Sequence, residues 1–185
     1  SHHLLIVEHD KEMNLVNKRV FPMPGFGLAH DCAITPNFVV FFQAAVKFDP
    51  LPFVLGKKGV AQCIENDESA TTSNLHLVPR GMDGEPITIT LPPAFTFHVA
   101  NSFETKDGEV VVDVVLTDRV FMGDTDGSPE APAWETIDKD DFGTTVPPYS
   151  LTRIVVNPST KELVSMKSLS ENGSKSVDFP ASLAP

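Results

Sequence analysis

Short runs rich in Val, Ile, Phe and Thr recur along this chain, and Gly, Pro, Asn and Asp lie between them. The runs include "FVVFF", "ITITL" and "EVVVDVVL", which are continuously apolar or alternate between apolar and polar residues. β-Branched and aromatic side chains favour extended backbone, whereas the intervening residues are those that turns require. The pattern therefore predicts an all-β chain of successive antiparallel strands.

Two spacings predict β-hairpins. Residues 151–157 and 162–169 flank "PSTK", which is typical of a Pro-led turn. An Asp-Gly pair at 107–108 lies between the runs 95–103 and 109–116, and Asp-Gly is a strong hairpin signal. Consecutive hairpins build sandwiches, barrels or propeller blades, and periodicity alone does not choose among these architectures.

Two segments depart from the strand pattern. A short helix is expected near 50–56, where Asp49 can cap the first turn and Gly56 can end the helix. A long segment near 119–150 is dense in acidic residues, Pro and Gly, which predicts a solvated surface loop. Its "DTDGSPE" resembles the opening of a calcium loop, but the full ligand pattern with flanking helices is absent, so calcium is the less favoured alternative.

The charge balance argues against nucleic acid as a partner. The formal net charge is -11 at pH 7 and no cluster of Lys and Arg offsets it, so phosphate backbones would be repelled. Cys32 and Cys63 form no C-x-x-C pair, so neither a disulfide framework nor a zinc knuckle is predicted. Because the chain begins with Ser1 rather than Met, we read no targeting segment, and localisation stays open between the cytoplasm and a plastid.

Two histidines lie within apolar, strand-like runs. These are His30 in "LAHDCAITPNFVVFF" and His98 in "FTFHVANSFE". A buried imidazole without a hydrogen-bond partner costs about 1–3 kcal/mol, so each ring is expected to meet a carboxylate, a carbonyl or a metal. Their wide separation in sequence is no local metal motif, and spacing alone favours satisfied structural histidines over metal ligands. The remaining histidines carry little information: His2, His3, His9 and His76.

The segments around both histidines resemble motifs of the carotenoid oxygenases, also called carotenoid cleavage dioxygenases. "HDCAITPNFVVFF" is similar to that family's His-Asp-Phe-x-x-Thr-x-Asn segment, and "FTFHVANSFE" to its Phe-His-x-x-Asn-Ala-aromatic-Glu segment. Weaker similarities follow in the family's order: "FDPLPFVLGK", "LHLVPRGMDG", "LTRIVVNPSTKEL" and "VDFP". Together these motifs extend over nearly the whole chain. For both histidines, the resemblance favours a role as metal ligand over a structural role.

The resemblance implies a fold and a metal. The family fold is a seven-bladed β-propeller with a helical cap, so residues 1–185 are expected to be a partial propeller domain of about two to three blades, lacking the parts before and after. In the family, four histidines from four inner strands bind one Fe(II) on the propeller axis. By motif, His30 and His98 correspond to the second and third iron ligands, and the other two would lie outside this chain.

The resemblance also assigns residues around the iron. Family glutamates accept the second ring N–H of a ligand, and Asp178 in "VDFP" stands at one such position with a side chain one methylene shorter. Phe97 matches an aromatic residue that lines the family's substrate cavity, with core packing as the equal alternative. Four further matching residues are expected to hold blades together: Asp31, Thr35, Asn101 and Glu104.

The activity implied is that of a non-haem Fe(II) dioxygenase acting in a longer parent protein. It would use O₂ to cleave a double bond of an apolar polyene, a carotenoid or apocarotenoid, to aldehyde or ketone products, and this section alone would be inactive. Peripheral membrane contact is expected only through parts of the parent outside this chain. The alternatives are a family member acting on retinyl esters or stilbenes, and an iron-free propeller that serves as a lipid-binding or interaction module.

Overall fold

The computed structural model describes residues 2–81, 84–120 and 148–170. Most of the acidic segment near 119–150 lies outside the described residues, as does Asp178. Strands account for most of the regular structure: β1 (His2–His9), β2 (Leu15–Met23), β3 (Ala33–Ile34), β4 (Phe38–Gln43), β5 (Val46–Phe48), β6 (Ile64–Asn66), β7 (Ser73–Pro79), β8 (Ile87–Leu91), β9 (Phe95–Glu104), β10 (Val110–Thr117), β11 (Ser150–Asn157) and β12 (Glu162–Ser168). A helix, α1 (Leu51–Val54), and a 3-10 turn (Ala61–Cys63) lie between β5 and β6.

The strands form two four-stranded sheets and two smaller ones. The first four-stranded sheet has the order β3-β4-β7-β8, and the second has β12-β11-β10-β9. The hairpin β1-β2 and the pair β5-β6 are two-stranded. Every pairing is antiparallel, and the predicted hairpins β9-β10 and β11-β12 are both confirmed. Each four-stranded sheet follows the order of the chain, and β5 and β6 form an excursion between β4 and β7.

In both predicted hairpins, a residue suited to tight turns determines the turn geometry: Gly108 in one and Asn157 in the other. Gly108 has a φ of 81° and donates its N–H to the carbonyl of Thr105 at 3.1 Å, a conformation that an L side chain rarely adopts. In the β11-β12 turn, Oδ1 of Asn157 accepts the N–H groups of Ser159 at 2.9 Å and Thr160 at 3.2 Å. The Asn side chain therefore organises this turn together with the proline that follows it.

Helix α1 lies where the sequence predicts it but is only one turn long. Oδ1 of Asp49 accepts the N–H of Leu51 at 3.1 Å, and Gly56, with a φ of 67°, donates to the carbonyl of Phe53 at 2.9 Å. The strands β3, β5 and β6 were not predicted, because two or three residues are too few to show a period. In the described ranges, we find no helix long and apolar enough to cross a membrane.

The core has two parts because the first four-stranded sheet is covered on both faces. Val40 and Phe42 of β4 pack in the main cluster, which joins the two four-stranded sheets face to face. Val39 and Phe41, on the other face of β4, pack in a second cluster beneath the β1-β2 hairpin. Burying one such side chain contributes about 1.5–3 kcal/mol, so these two interfaces dominate the stability of the described structure.

One ion pair is built into the buried strand β10. Asp113 is 6% exposed and lies directly across from Arg153 on β11. Its two carboxylate oxygens accept from Nε and Nη2 of Arg153, both at 2.8 Å, and the guanidinium lies 5.7 Å from the ring centre of Phe103. The bidentate geometry compensates for the desolvation of the carboxylate within a run of valines.

We expect Arg153→Met to destabilise the protein by about 2 kcal/mol, because it leaves a buried carboxylate without its partner while keeping most of the packing. The measurement is the free energy of unfolding by urea. Lys167→Met is the matched control, since Lys167 is exposed on β12 directly across from Arg153. Equal, small losses in both variants would contradict a structural role for the pair.

Candidate metal centre

His30 lies outside any strand, in an exposed segment that ends where β3 begins. The backbone N–H of His30 donates to the carbonyl of Leu28 at 3.0 Å, and Oδ1 of Asp31 accepts the backbone N–H of Cys32 at 2.8 Å. Such local bonds compete with strand pairing. The prediction that His30 sits inside an apolar strand is therefore wrong, and regular pairing starts only at Ala33.

His98 lies in β9, as predicted, but β9 is irregular at that point. The pairing with β10 matches Asn101 to Asp113, Val99 to Val114 and Thr96 to Leu116. Phe97 and His98 thus stand opposite the single residue Val115, and Ala100 is a second extra residue. These are the register irregularities of β-bulges, which re-aim side chains and occur often beside functional sites.

The bulge brings two successive side chains against one histidine. The ring of His30 lies 5.4 Å from that of His98, centre to centre, with the planes at 76°. It lies 5.4 Å from the ring of Phe97 as well, at 77°. In a regular strand successive side chains point to opposite faces, so Phe97 and His98 could not both face the same ring. The structure therefore brings together His30, His98 and Phe97, all selected from the sequence.

The separation of the two imidazoles suits a shared metal ion. With metal–nitrogen bonds of about 2.0–2.2 Å, two cis imidazoles on one ion have ring centres roughly 4.5–5.5 Å apart, and His30 and His98 meet this condition. Imidazole nitrogen also suits Fe(II). Among the described residues, no group of three or more His, Cys, Asp or Glu could hold a metal. The pair can therefore supply two ligands, and any others must come from elsewhere.

Phe97 packs against the main core. Its ring meets that of Phe95 edge to face at 4.6 Å, and most of its surface is covered. A pocket of about 350 Å³ beside His30 is lined by residues 4–8, 29–32, 34, 39 and 41, which do not include Phe97. The contacts show the core-packing role, and the role of Phe97 as a cavity wall stays a prediction.

Two carboxylates join β9 to residues on either side of β3, which belongs to the other four-stranded sheet. Oδ2 of Asp31 accepts the N–H of Val99 at 2.9 Å. Glu104 accepts two hydrogen bonds from Asn37, one from its backbone N–H at 2.8 Å and one from its side-chain Nδ2 at 2.6 Å. Burial acts to raise the pKa of Glu104, but hydrogen bonds from Thr35 and Asn37 outweigh it and hold that pKa below its ordinary value. These contacts agree with the expectation that Asp31 and Glu104 hold blades together.

The satisfied core histidine is His76, to which sequence reasoning assigned no role. It is buried in β7, stacked on Phe41 with ring centres 4.6 Å apart. Its Nε2 lies 2.8 Å from Oε1 of Gln43 and its Nδ1 lies 3.0 Å from Oγ1 of Thr88. Burial lowers the pKa of His76 to about 4. The available signal was its position inside the apolar run "LHLVP", between two leucines that are also buried.

Comparison with known proteins identifies relatives over most of the chain. The family model described as retinal pigment epithelial membrane protein (RPE65) matches residues 1–182. The apocarotenoid-15,15'-oxygenase of Synechocystis sp. is 30% identical over 156 residues, which are 84% of this chain and 29% of that protein. Resveratrol cleavage oxygenase 1 of Aspergillus fumigatus is 28% identical over 145 residues, 76% of this chain and 26% of that protein.

Solved structures agree with this similarity. The crystal structure of cobalt-substituted Synechocystis apocarotenoid oxygenase (ACO) matches with a TM-score of 0.76 and 28% identity, covering 90% of this chain and 32% of that one. A crystal structure of an ACO/RPE65 chimera matches with a TM-score of 0.75 and also covers 90% of this chain and 32% of that one. The chain thus spans about a third of the length of the relatives it matches, and its sheets correspond to part of their β-propeller.

We expect the free energy of unfolding to fall as pH drops through the window from 6.5 to 4, because the unfolded chain binds a proton that folded His76 does not. Between pH 7 and pH 5 this amounts to about 2 kcal/mol. Urea unfolding should show that His76→Gln removes this part of the pH dependence, whereas His9→Gln, at an exposed histidine, keeps it. An NMR titration placing the pKa of His76 at 6 or above would disprove the explanation.

Proposed function

Since this chain belongs to the RPE65/carotenoid oxygenase family, we propose that its full-length protein is a non-haem Fe(II) dioxygenase that cleaves a double bond of a carotenoid or apocarotenoid. The observation that carries the proposal is the approach of the His30 and His98 rings, whose centres are 5.4 Å apart. His30 lies just before β3, the first strand of one four-stranded sheet, and His98 lies on β9, the first strand of the other. We take both histidines as iron ligands. The described section lacks a third ligand, so we propose that it is inactive alone.

The reaction balances without an external reductant. Both bonds of the C=C unit and the O–O bond are broken, and each carbon receives one oxygen atom to form an aldehyde or a ketone. When bound, Fe(II) supplies the electron exchange that lets O₂ react with a closed-shell alkene. O₂ and the apolar polyene are thus the only reactants that the proposal requires.

The residues of this chain hold and orient. His30 and His98 would present one ring nitrogen each to the metal, and their remaining ring N–H groups would donate to neighbouring acceptors. We propose Asp178 as one such acceptor, directly or through a water, because it stands at the family's glutamate position. The ring of Phe97 packs edge to face against that of His30, and a Phe97 ring face exposed to a polyene would stabilise developing positive charge.

Two substrate classes follow from the relatives. The relative with 30% identity is named as an apocarotenoid oxygenase, which favours a carotenoid or apocarotenoid here. The relative with 28% identity is named for resveratrol cleavage, which keeps a stilbene as the second candidate. We propose peripheral membrane contact through other parts of the full-length protein, as an apolar substrate would require, and no nucleic-acid partner.

Replacing either histidine should remove the metal. We expect His30→Ala and His98→Ala in the full-length protein each to lower bound iron below about a tenth of the wild-type stoichiometry, and cleavage activity at least a hundredfold, because each deletes a direct ligand. Iron is measured by elemental analysis and cleavage by the loss of polyene absorbance. His9→Ala, which changes an exposed histidine at the end of β1, is the control. Full iron and full activity in either ligand variant would refute the assignment.

Substrate class is decided by direct competition. We expect the iron-loaded full-length protein to convert an apocarotenoid with a kcat/KM at least tenfold above that for resveratrol, measured by product chromatography under air. The reverse ratio would establish the stilbene candidate instead. Iron binding with no conversion of either compound, or a full-length protein without iron, would point to a binding module.

A further inference from the structure

The separation of His30 and His98 is not set by any strand ladder. The His30 segment leads into β3, which pairs with β4, while β9 pairs with β10. β3 and β9 lie side by side, yet they belong to different sheets. His30 is also exposed and follows an irregular stretch, so its backbone has little support of its own. Something other than sheet pairing must hold the two rings at a fixed distance.

Asp31 makes that connection at the histidines themselves. Its Oδ2 accepts the N–H of Val99, and its Oδ1 accepts the N–H of Cys32. One carboxylate therefore joins the residue after His30 to the residue after His98. Val99 lies between the two register irregularities of β9, where the ladder with β10 is disrupted. A charge-assisted bond at this point stabilises the backbone where the bulge weakens it.

We infer that Asp31 is a positioning residue, which fixes the spacing of the His30 and His98 rings by clamping the backbone behind both. The inference rests on the proposed function, in which these rings ligate the metal. Ligands must be held to about half an ångström for tight binding, and loss of a supporting contact typically weakens metal affinity ten- to a hundredfold. Asp31 itself does not touch the metal in this arrangement.

Glu104 provides a matched control within the same interface. It also joins β9 to the other four-stranded sheet, through the hydrogen bonds that it accepts from Asn37 in the turn between β3 and β4. Its bonds lie several residues beyond the histidines on both segments. If the two carboxylates only join blades, their removal should have equal effects. If Asp31 positions the ligands, only its removal should change the metal.

The test uses the full-length protein with Asp31→Ala, Asp31→Asn and Glu104→Ala variants. Fe(II) affinity is measured anaerobically by competition with a chromogenic chelator, and ligand geometry by the visible spectrum of bound Co(II). We expect Asp31→Ala to lower Fe(II) affinity at least tenfold and to shift the Co(II) bands. Asp31→Asn, which keeps an acceptor oxygen for Val99, should stay within about threefold of wild type. Glu104→Ala should lower the melting temperature as much as Asp31→Ala and leave Fe(II) affinity within twofold.

Other outcomes overturn the inference. Equal metal affinities in Asp31→Ala and wild type would do so, as would equal losses in Asp31→Ala and Glu104→Ala, or an Asp31→Asn variant no better than Asp31→Ala. A metal-free readout checks the contact, since hydrogen exchange of the Val99 amide should accelerate in Asp31→Ala and not in Glu104→Ala. Wild-type protein that binds neither Fe(II) nor Co(II) would refute the proposed function and this inference with it, whereas the outcomes above refute the inference alone.

Discussion

Face-to-face packing of the two four-stranded sheets is the constraint on which the rest of the structure depends. It buries Val40 and Phe42 of β4 against side chains of the other sheet, among them Phe95 and Val112. Because each sheet follows the order of the chain, this packing places the first strand of one, β3, beside the first strand of the other, β9. The two histidine segments meet there, although they are far apart in sequence. The geometry of the candidate metal centre is therefore a consequence of core packing.

Within this packing, the backbone of the candidate metal centre is irregular at all three residues whose rings meet. His30 precedes β3 in an irregular segment, and Phe97 and His98 share a bulge. Irregular backbone loses ladder hydrogen bonds, and here side chains replace them, with the Asp31 carboxylate taking the N–H of Val99. The histidine in regular, buried strand structure, His76, is instead neutral and bonded on both ring nitrogens, as a structural role requires.

Sequence reasoning predicted the long strands, the two hairpins and the place of the helix, since each carries a local signal of periodicity or turn chemistry. It could not predict β3, β5 and β6, which are too short to show a period. The apolar composition around His30 predicts a strand that does not form there, and no local signal reveals the role of His76, because a hydrogen-bond partner such as Gln43 is distant in sequence. The bulge in β9 left no signal at all, since "FTFHVANSF" contains neither Gly nor Pro.

By itself, the sequence determined the all-β class, the family motifs and the identity of His30, His98 and Phe97 as candidates. Only the tertiary structure decided that the three rings meet, that Asp31 links the backbones behind the two histidines, and that His76 is the core histidine. The physical reason is range. Strand propensity and turn chemistry act over a few neighbouring residues, whereas the ring contacts and the Asp31–Val99 bond join residues that only the packing of two sheets brings together.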